Sequence, residues 1–376
     1  MASKNGMFMS CCRLSAKKER IGLLACLLVV FFSLGFAPPS VTESDDARTP
    51  ISGHQLHLLL EGAPPEFNGG SALIMDMATG KVVFALNAHV RIAPASTTKI
   101  MTAIVALEKG DLARKITIKK DHLQEGSFMG ISPGDVLTLE DLLWGLLLPS
   151  GNDAAMAIAD GVGGSVDAFV QMMNQKATEL GLKDTHFVNP HGLDEDDQYS
   201  SAYDLAVTSC YAMRNPLFAK MVGTRVYTVN ASRVFLLENA NQLLHPVRGV
   251  PGVDGIKTGY TEKAGDSLVS SVTRQGRRVI VVAMGTPSRD QASIPLIEYA
   301  FRAFTWVPLQ PPYVTPKQDS SASVSIVTRR DEMLALWQVP YVSITVNNRV
   351  SDANLPQARY WLGNNLLAEL PFSLAP

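Results

Sequence analysis

The chain has 376 residues, 46% of them hydrophobic and 18% charged, with a formal net charge of -2. That length suits two or three folded units, and the composition excludes a disordered chain. The near-neutral balance offers no basic face for nucleic acid, so none is expected as a partner.

Charge is nevertheless uneven. Lys4, Arg13, Lys17, Lys18 and Arg20 crowd residues 1–37, where Glu19 is the one acid, and the remainder carries a net charge of -6. An uncharged run of 17 residues, 21–37 (IGLLACLLVVFFSLGFA), follows the basic stretch. It sits at the lower limit for a membrane span and is long for a signal-peptide core. Gly35 and Ala37 are small enough for cleavage, whereas Pro38 disfavours a cut there. Residues 1–37 are therefore expected to be a signal peptide or, if uncleaved, an N-terminal membrane anchor; both keep the basic end inside and export the rest. Residues 38–66, opening PPSVTESDDARTP, read as a solvated spacer. Cys210 is the one cysteine beyond the leader, too few for an internal disulfide or a zinc site, and reads as a small apolar core residue.

Residues 71–77 and 81–86 are short β-like runs around Ala78-Thr79-Gly80, a hairpin signal. Residues 96–108 (STTKIMTAIVALE) are apolar nearly all round and predict a buried helix entered at Pro94. A second helix is predicted over 138–148 with Thr138 as its N-cap, and further helices over 153–159 and 166–180. Residues 185–204 read as a loop. Residues 268–273 and 278–283 predict paired strands around Arg274-Gln275-Gly276-Arg277, and 294–304 a closing helix. Strands at both ends of a helical middle predict an α+β (mixed α/β) domain: an antiparallel sheet flanked by helices, with a helical subdomain inserted, over 67–306. Pro308, Pro311, Pro312 and Pro316 mark a linker over 307–318. Alternation at 324–327 and 341–346 predicts a small β-rich C-terminal domain over 319–376.

Three short motifs stand in order: Ser96-Thr97-Thr98-Lys99 (S-x-x-K), Ser150-Gly151-Asn152 (S-x-N) and Lys257-Thr258-Gly259 (K-T-G), at intervals of 54 and 107 residues. The first two are weak signals singly, since Ser15-Ala16-Lys17-Lys18 and Ser3-Lys4-Asn5 match them inside the leader. The ordered trio, each part in a fitting context, is far less ambiguous. On a helix, residues i and i+3 share a face, so Ser96 sits beside the Lys99 ammonium. A lysine in a half-buried cleft near another cation loses basicity, and a neutral Lys99 can take the Ser96 proton. Ser150 can relay that proton, and Asn152 can hold Lys99 and a substrate carbonyl. Lys257 brings a second positive charge, Thr258 a hydroxyl for a substrate carboxylate, and Gly259 room for substrate along the strand edge.

The trio, together with PASTTKIMTAIVALE, LLLPSGNDAAMAIAD, FVNPHGLDEDDQYSSAYDLA and GIKTGYTEKAGDSLVSS, resembles the serine D-Ala-D-Ala carboxypeptidases, the low-molecular-mass penicillin-binding proteins of the β-lactamase/transpeptidase-like superfamily. The likeness spans residues 68–305. It implies Ser96 as nucleophile, Lys99 as base, Ser150 and Asn152 as relay, and Lys257 and Thr258 as the substrate clamp. It implies an oxyanion hole of the Ser96 and Tyr260 backbone N–H groups, and Arg289 as a second carboxylate ligand. The expected substrates are peptidoglycan stem pentapeptides, losing their terminal D-alanine; β-lactam antibiotics would be covalent inhibitors. The site would lie in the periplasm or on the outer face of the bacterial cytoplasmic membrane. Relatives often end in a basic amphipathic helix; no Lys or Arg follows Arg359, so an N-terminal anchor is the expected substitute. Two alternatives share the motifs: a D,D-endopeptidase of the same fold, and a class A-like β-lactamase using an acid such as Glu195. A third, of another class, is a catalytically silent cell-wall binding protein. His191 and Asp194 tempt a Ser-His-Asp reading, but Lys99 already fills the base role and a structural loop is preferred; Asp204 reads as a loop or helix-cap residue. The seven histidines show no metal spacing, and no metal or other cofactor is expected.

Overall fold

The computed structural model describes residues 63–309, 323–326, 330–347 and 357–375. The leader, nearly all of the spacer and residues 310–318 of the expected linker lie outside these. All described residues belong to one compact unit, Ile51–Pro376.

The chain opens with the predicted hairpin, β1 (Ser71–Asp76) and β2 (Val82–Leu86), paired antiparallel. A 3-10 turn, Ala95–Thr98, leads into α1 (Lys99–Lys109). Short strands β3 (Lys115–Thr117) and β4 (Val136–Thr138) follow, then α2 (Leu139–Leu147), α3 (Asn152–Gly163), α4 (Val166–Glu179), α5 (Ala202–Ala212) and α6 (Pro216–Gly223). Thr138 caps α2 as expected: its hydroxyl accepts from the Asp141 N–H, and Asp141 accepts in return from the Thr138 N–H. A hairpin of β5 (Val226–Asn230) and β6 (Val234–Glu238) precedes the strands β7 (Val253–Thr261), β8 (Gly265–Arg274) and β9 (Arg277–Thr286) and the helix α7 (Arg289–Ala303).

The main sheet is antiparallel, in the order β2-β1-β9-β8-β7. Side-chain alternation divides its two faces. Leu73, Met75, Val269, Ile280 and Val282 join the core formed with α1 to α6. Ala72, Ile74, Leu268, Val281 and Ala283 pack instead with Leu296, Ile297 and Ala300 of α7. Central strands covered on both faces read as unbroken apolar runs, which is why β1 and β9 were legible. Among the described residues β7 has no partner strand on its outer side, where it faces the turn at Ala95–Thr98.

Some elements depart from expectation. The α-helix begins at Lys99, three residues after Ser96, because Pro94 and Ala95 (φ 46°) first impose a tight 3-10 turn. Helix α7 starts at Arg289, five residues before the predicted Ile294. Ser288 stands at its N-cap with Asp290 in the first turn, and Pro295 lies in the second turn. The expected boundary at 306/307 falls inside β10 (Phe304–Leu309), which pairs with β12 (Arg330–Ala335). Pro308 is accommodated because a two-stranded ribbon is all edge. The remaining C-terminal strands, β11 (Ser323–Ile326), β13 (Val342–Asn347), β14 (Gln357–Leu362) and β15 (Asn365–Ala375), form a sheet in the order β11-β15-β14-β13. Among the described residues no helix is long and apolar enough to cross a membrane.

Candidate active site

A cavity of about 480 Å³ opens between the helical middle and the free edge of β7. Ser96, Ser150, Asn152, Thr258, Gly259, Tyr260 and Arg289 all line it. Three segments more than fifty residues apart in sequence therefore converge on one cavity. Lys99 and Lys257 sit just behind the lining, both fully buried.

Ser96 and Lys99 bracket the junction of turn and helix. In a 3-10 turn residues i and i+3 eclipse, so the S-x-x-K spacing holds even more tightly here than on an α-helix. Lys99 Nζ lies 2.8 Å from Ser96 Oγ, 2.6 Å from Asn152 Oδ1 and 2.7 Å from the His191 carbonyl oxygen. The Asn152 amide cannot be turned round, because its Nδ2 donates to the Glu125 carbonyl at 2.5 Å. Two of the three neighbours of Nζ are thus pure acceptors, and the third is a hydroxyl that can donate or accept. A neutral amine has two N–H bonds and one lone pair. It can donate to both carbonyls and accept from Ser96. Burial holds the Lys99 ammonium well below its ordinary pKa; nearby Lys257 adds to the depression and Asp153 opposes it.

Ser150 takes φ 68°, a left-handed conformation that is unfavourable for a serine. Its buried hydroxyl has no hydrogen-bond partner among the described residues. Such strain recurs where surrounding structure overdetermines a functional position. Here Gly151 N–H donates to the Gly145 carbonyl and Asn152 N–H to the Ser127 carbonyl, holding the turn from both sides.

The opposite wall is β7. Gly259 passes so close to the Ala95–Thr98 turn that an added Cβ would lie 3.1 Å from the Pro94 oxygen and 3.3 Å from the Ser96 nitrogen. A side chain there would push the strand away and widen the cleft, which explains the glycine of K-T-G. Lys257 donates to the Thr258 carbonyl at 3.0 Å, and its pKa is lowered to about 7, by burial first and then by Arg289. Arg289 is paired with Asp266 at 2.8 Å and reaches the cavity from the first turn of α7.

A family profile described as D-alanyl-D-alanine carboxypeptidase matches residues 60–288. The chain belongs to this family. D-alanyl-D-alanine carboxypeptidase DacF of Bacillus subtilis is 36% identical over 93% of this chain and 87% of its own length. DacA of Escherichia coli strain K12 is 39% identical over 77% of this chain and 71% of its own. Among solved structures, penicillin binding protein 6B from Escherichia coli superposes with a TM-score of 0.69 at 32% identity, covering 83% of this chain and 96% of that one. The Streptomyces K15 DD-transpeptidase gives 0.61 at 33% identity, over 64% and 99% respectively. The chain is thus a serine peptidase of the penicillin-binding protein class.

Several residues of this D-alanyl-D-alanine carboxypeptidase site escaped the motif reading. His191 contributes its main-chain oxygen, not its ring; burial and Lys99 lower the ring's pKa to about 4. The loop presenting that oxygen is held by paired amides. Gln198 accepts from the Val188 and Asn189 N–H groups and donates to Asn189 Oδ1, which also accepts from the Gly192 N–H. Gly192 (φ 95°) lies against Ala95, where a Cβ would meet the carbonyl oxygen at 1.9 Å. Asp204 sits in the first turn of α5, not in the expected loop, and its carboxylate accepts from the Asp184 N–H and the Thr185 hydroxyl. Asp194 does not meet His191's ring; it accepts from the Thr261 hydroxyl at 2.8 Å. Asp153, next to Asn152, accepts from the Met129, Gly130 and Ile131 N–H groups. A run of glycine and polar residues near S-x-N was the one available hint of that cradle. No group of three or more potential metal ligands occurs among the described residues.

Proposed function

We propose that the chain is an exported serine D-Ala-D-Ala carboxypeptidase that removes the terminal D-alanine from peptidoglycan stem pentapeptides. The observation that carries this reading is the environment of Lys99: a buried amine with two carbonyl acceptors and one hydroxyl, that of Ser96, at 2.8 Å.

Neutral Lys99 takes the proton as Ser96 Oγ attacks the carbonyl of the penultimate D-alanine. The Ser96 and Tyr260 backbone N–H groups hold the oxyanion, each worth about 3 kcal/mol at such sites. The C–N bond then breaks. The proton passes from Lys99 through the unpartnered Ser150 hydroxyl to the leaving nitrogen, and D-alanine departs. Water attacks the acyl carbonyl and gives a proton to Lys99; the C–Oγ bond breaks, Lys99 returns the proton to Ser96 Oγ, and the shortened peptide is released.

Lys257, Thr258 and Arg289 supply the specificity for a C-terminal carboxylate. The burial that depresses Lys257 is offset once an anion binds, so substrate itself draws the clamp into its charged form. β-Lactams place a carboxylate and a strained amide at the same points, and the resulting acyl-enzyme is long-lived. The catalytic unit is taken as residues 67–306, and residues 1–37 as the export signal or anchor that delivers it to the outer face of the membrane.

The test is product analysis with a stem pentapeptide and with crosslinked muropeptides. Release of free D-alanine from the pentapeptide is expected. Cleavage of crosslinks alone would give the endopeptidase alternative, and fast penicillin turnover without D-alanine release would give the β-lactamase one.

A further inference from the structure

The wall of the cleft opposite β7 includes residues 125–131, and this segment touches Asn152 twice. The Glu125 carbonyl accepts from Asn152 Nδ2, and the Ser127 carbonyl from the Asn152 backbone N–H. Ser127 also lines the cavity. Wherever this segment sits, the amide oxygen on Lys99 is set with it.

The segment is gripped from two directions. From inside, the Asp153 carboxylate accepts from the N–H groups of Met129, Gly130 and Ile131 at 2.8, 3.0 and 3.3 Å. From outside, Arg233, just before β6, donates to the Gly130 carbonyl. One residue, Gly130, is thus held by a carboxylate on its N–H side and a guanidinium on its C=O side. The guanidinium is itself fixed. It lies 4.5 Å from the centroid of the Phe235 ring, and it meets Asp135 Oδ2 at 3.4 Å. Ser232 donates to the other oxygen of Asp135 at 2.9 Å. The base of this hairpin is anchored elsewhere, by Tyr227 stacked on Trp144 of α2 with ring centroids 3.7 Å apart and planes at 7°. A hairpin rooted on a core helix can therefore transmit a fixed position to the cleft wall through one charge-assisted bond.

We infer that Arg233 is a positioning residue for acyl transfer, holding the 125–131 wall so that Asn152 keeps Lys99 aligned on Ser96. The inference rests on the carboxypeptidase reading above. Arg233 does not touch the reacting atoms. Its loss lets the wall move outward and takes Asn152 Oδ1 off Nζ, an error of geometry that lowers the rate of chemistry more than it weakens binding.

The experiment compares the full chain with Arg233→Met, which keeps an unbranched side chain and removes the donors, and with Arg233→Lys, which restores a donor. D-alanine release is measured together with backbone amide exchange at residues 129–131. The methionine variant is expected to lose about 10- to 100-fold in kcat with KM changed less than about threefold. Its amides at 129–131 should exchange faster, and the lysine variant should recover most of the rate. A purely structural role would lower the thermal midpoint and leave kcat per folded molecule unchanged, which overturns the inference. Slower catalysis with unaltered exchange at 129–131 overturns it as well. If the methionine variant does not fold, Arg233→Gln, which removes the charge, is measured in its place: a lowered kcat with faster exchange at 129–131 supports the inference, and unchanged kcat per folded molecule, or slower catalysis without faster exchange, overturns it. If the parent chain releases no D-alanine, it is the carboxypeptidase reading that fails.

Discussion

The two walls of the cleft hold their cations differently. On the helical wall, Lys99 is surrounded by three oxygens at 2.6–2.8 Å, and Asn152 is committed at both ends of its amide. On the strand wall, Lys257 donates to one backbone carbonyl and forms no ion pair among the described residues. Both lysines are fully buried and both lose basicity, yet the reasons diverge in their use. The helical wall is a closed network prepared for proton transfer. On the strand wall Lys257 has no carboxylate partner among the described residues, whereas Arg289 in the cavity lining is already paired with Asp266, an arrangement suited to an anion that arrives with substrate. Chemistry is preorganised on one side and recognition is left open on the other.

The largest break in this comparison is at the nucleophile. Ser96→Ala should reduce D-alanine release by about a millionfold, to the level of noncovalent binding alone, measured by a coupled assay for free D-alanine. Lys99→Ala leaves Ser96 without a base and should slow acylation by about a thousandfold, read from the rate of labelling with a fluorescent penicillin. On the other wall, Lys257→Gln should act mainly on substrates ending in a carboxylate. A loss of about a hundredfold in kcat/KM is expected for the acid, and a much smaller loss for the same peptide as its C-terminal amide.

The pH dependence sharpens the contrast further. Lys99 must be neutral and Lys257 charged, so kcat/KM should fall on the acid side as Lys99 is protonated. It should fall on the alkaline side above about 7, where Lys257 loses its proton in the free enzyme. Lys257→Arg keeps the charge at all working pH and should move only the alkaline limb upward. The smallest effect concerns stability. His191 is held neutral with a folded pKa of about 4, below its ordinary value of 6.5. The unfolded chain therefore binds more protons between those values, and stability should decline as pH falls from about 6.5 towards 4, measured by urea unfolding. A His191→Gln variant should show a shallower decline.

The motif residues were legible because their spacing encodes geometry that short-range structure enforces: Ser96 with Lys99 across one turn, and Gly259 where a strand must pass the Ser96 nitrogen at close range. Strands β1, β2, β8 and β9 were legible as apolar runs, and α2 from its capping threonine, whereas β7 was not assigned. What could not be read was whatever depends on distant backbone. The His191 carbonyl is a main-chain atom and has no residue signature. Asp153 acts by gathering three N–H groups from a loop more than twenty residues away. Helices α5 and α6 and the β5–β6 hairpin went unassigned, although Ser201 and Asn215-Pro216 are ordinary helix-start signals. Their mixed apolar and polar stretches gain definition only when Phe218, Met221, Phe235 and Leu237 close onto the helical core.

The most direct measurement is peptide mapping by mass spectrometry after brief exposure of the folded chain to penicillin. One adduct per chain, on the peptide containing Ser96 and lost in Ser96→Ala, is the predicted result. An adduct at another residue, or none on a folded chain, would contradict the assignment of this cleft as a serine acyl-transfer site.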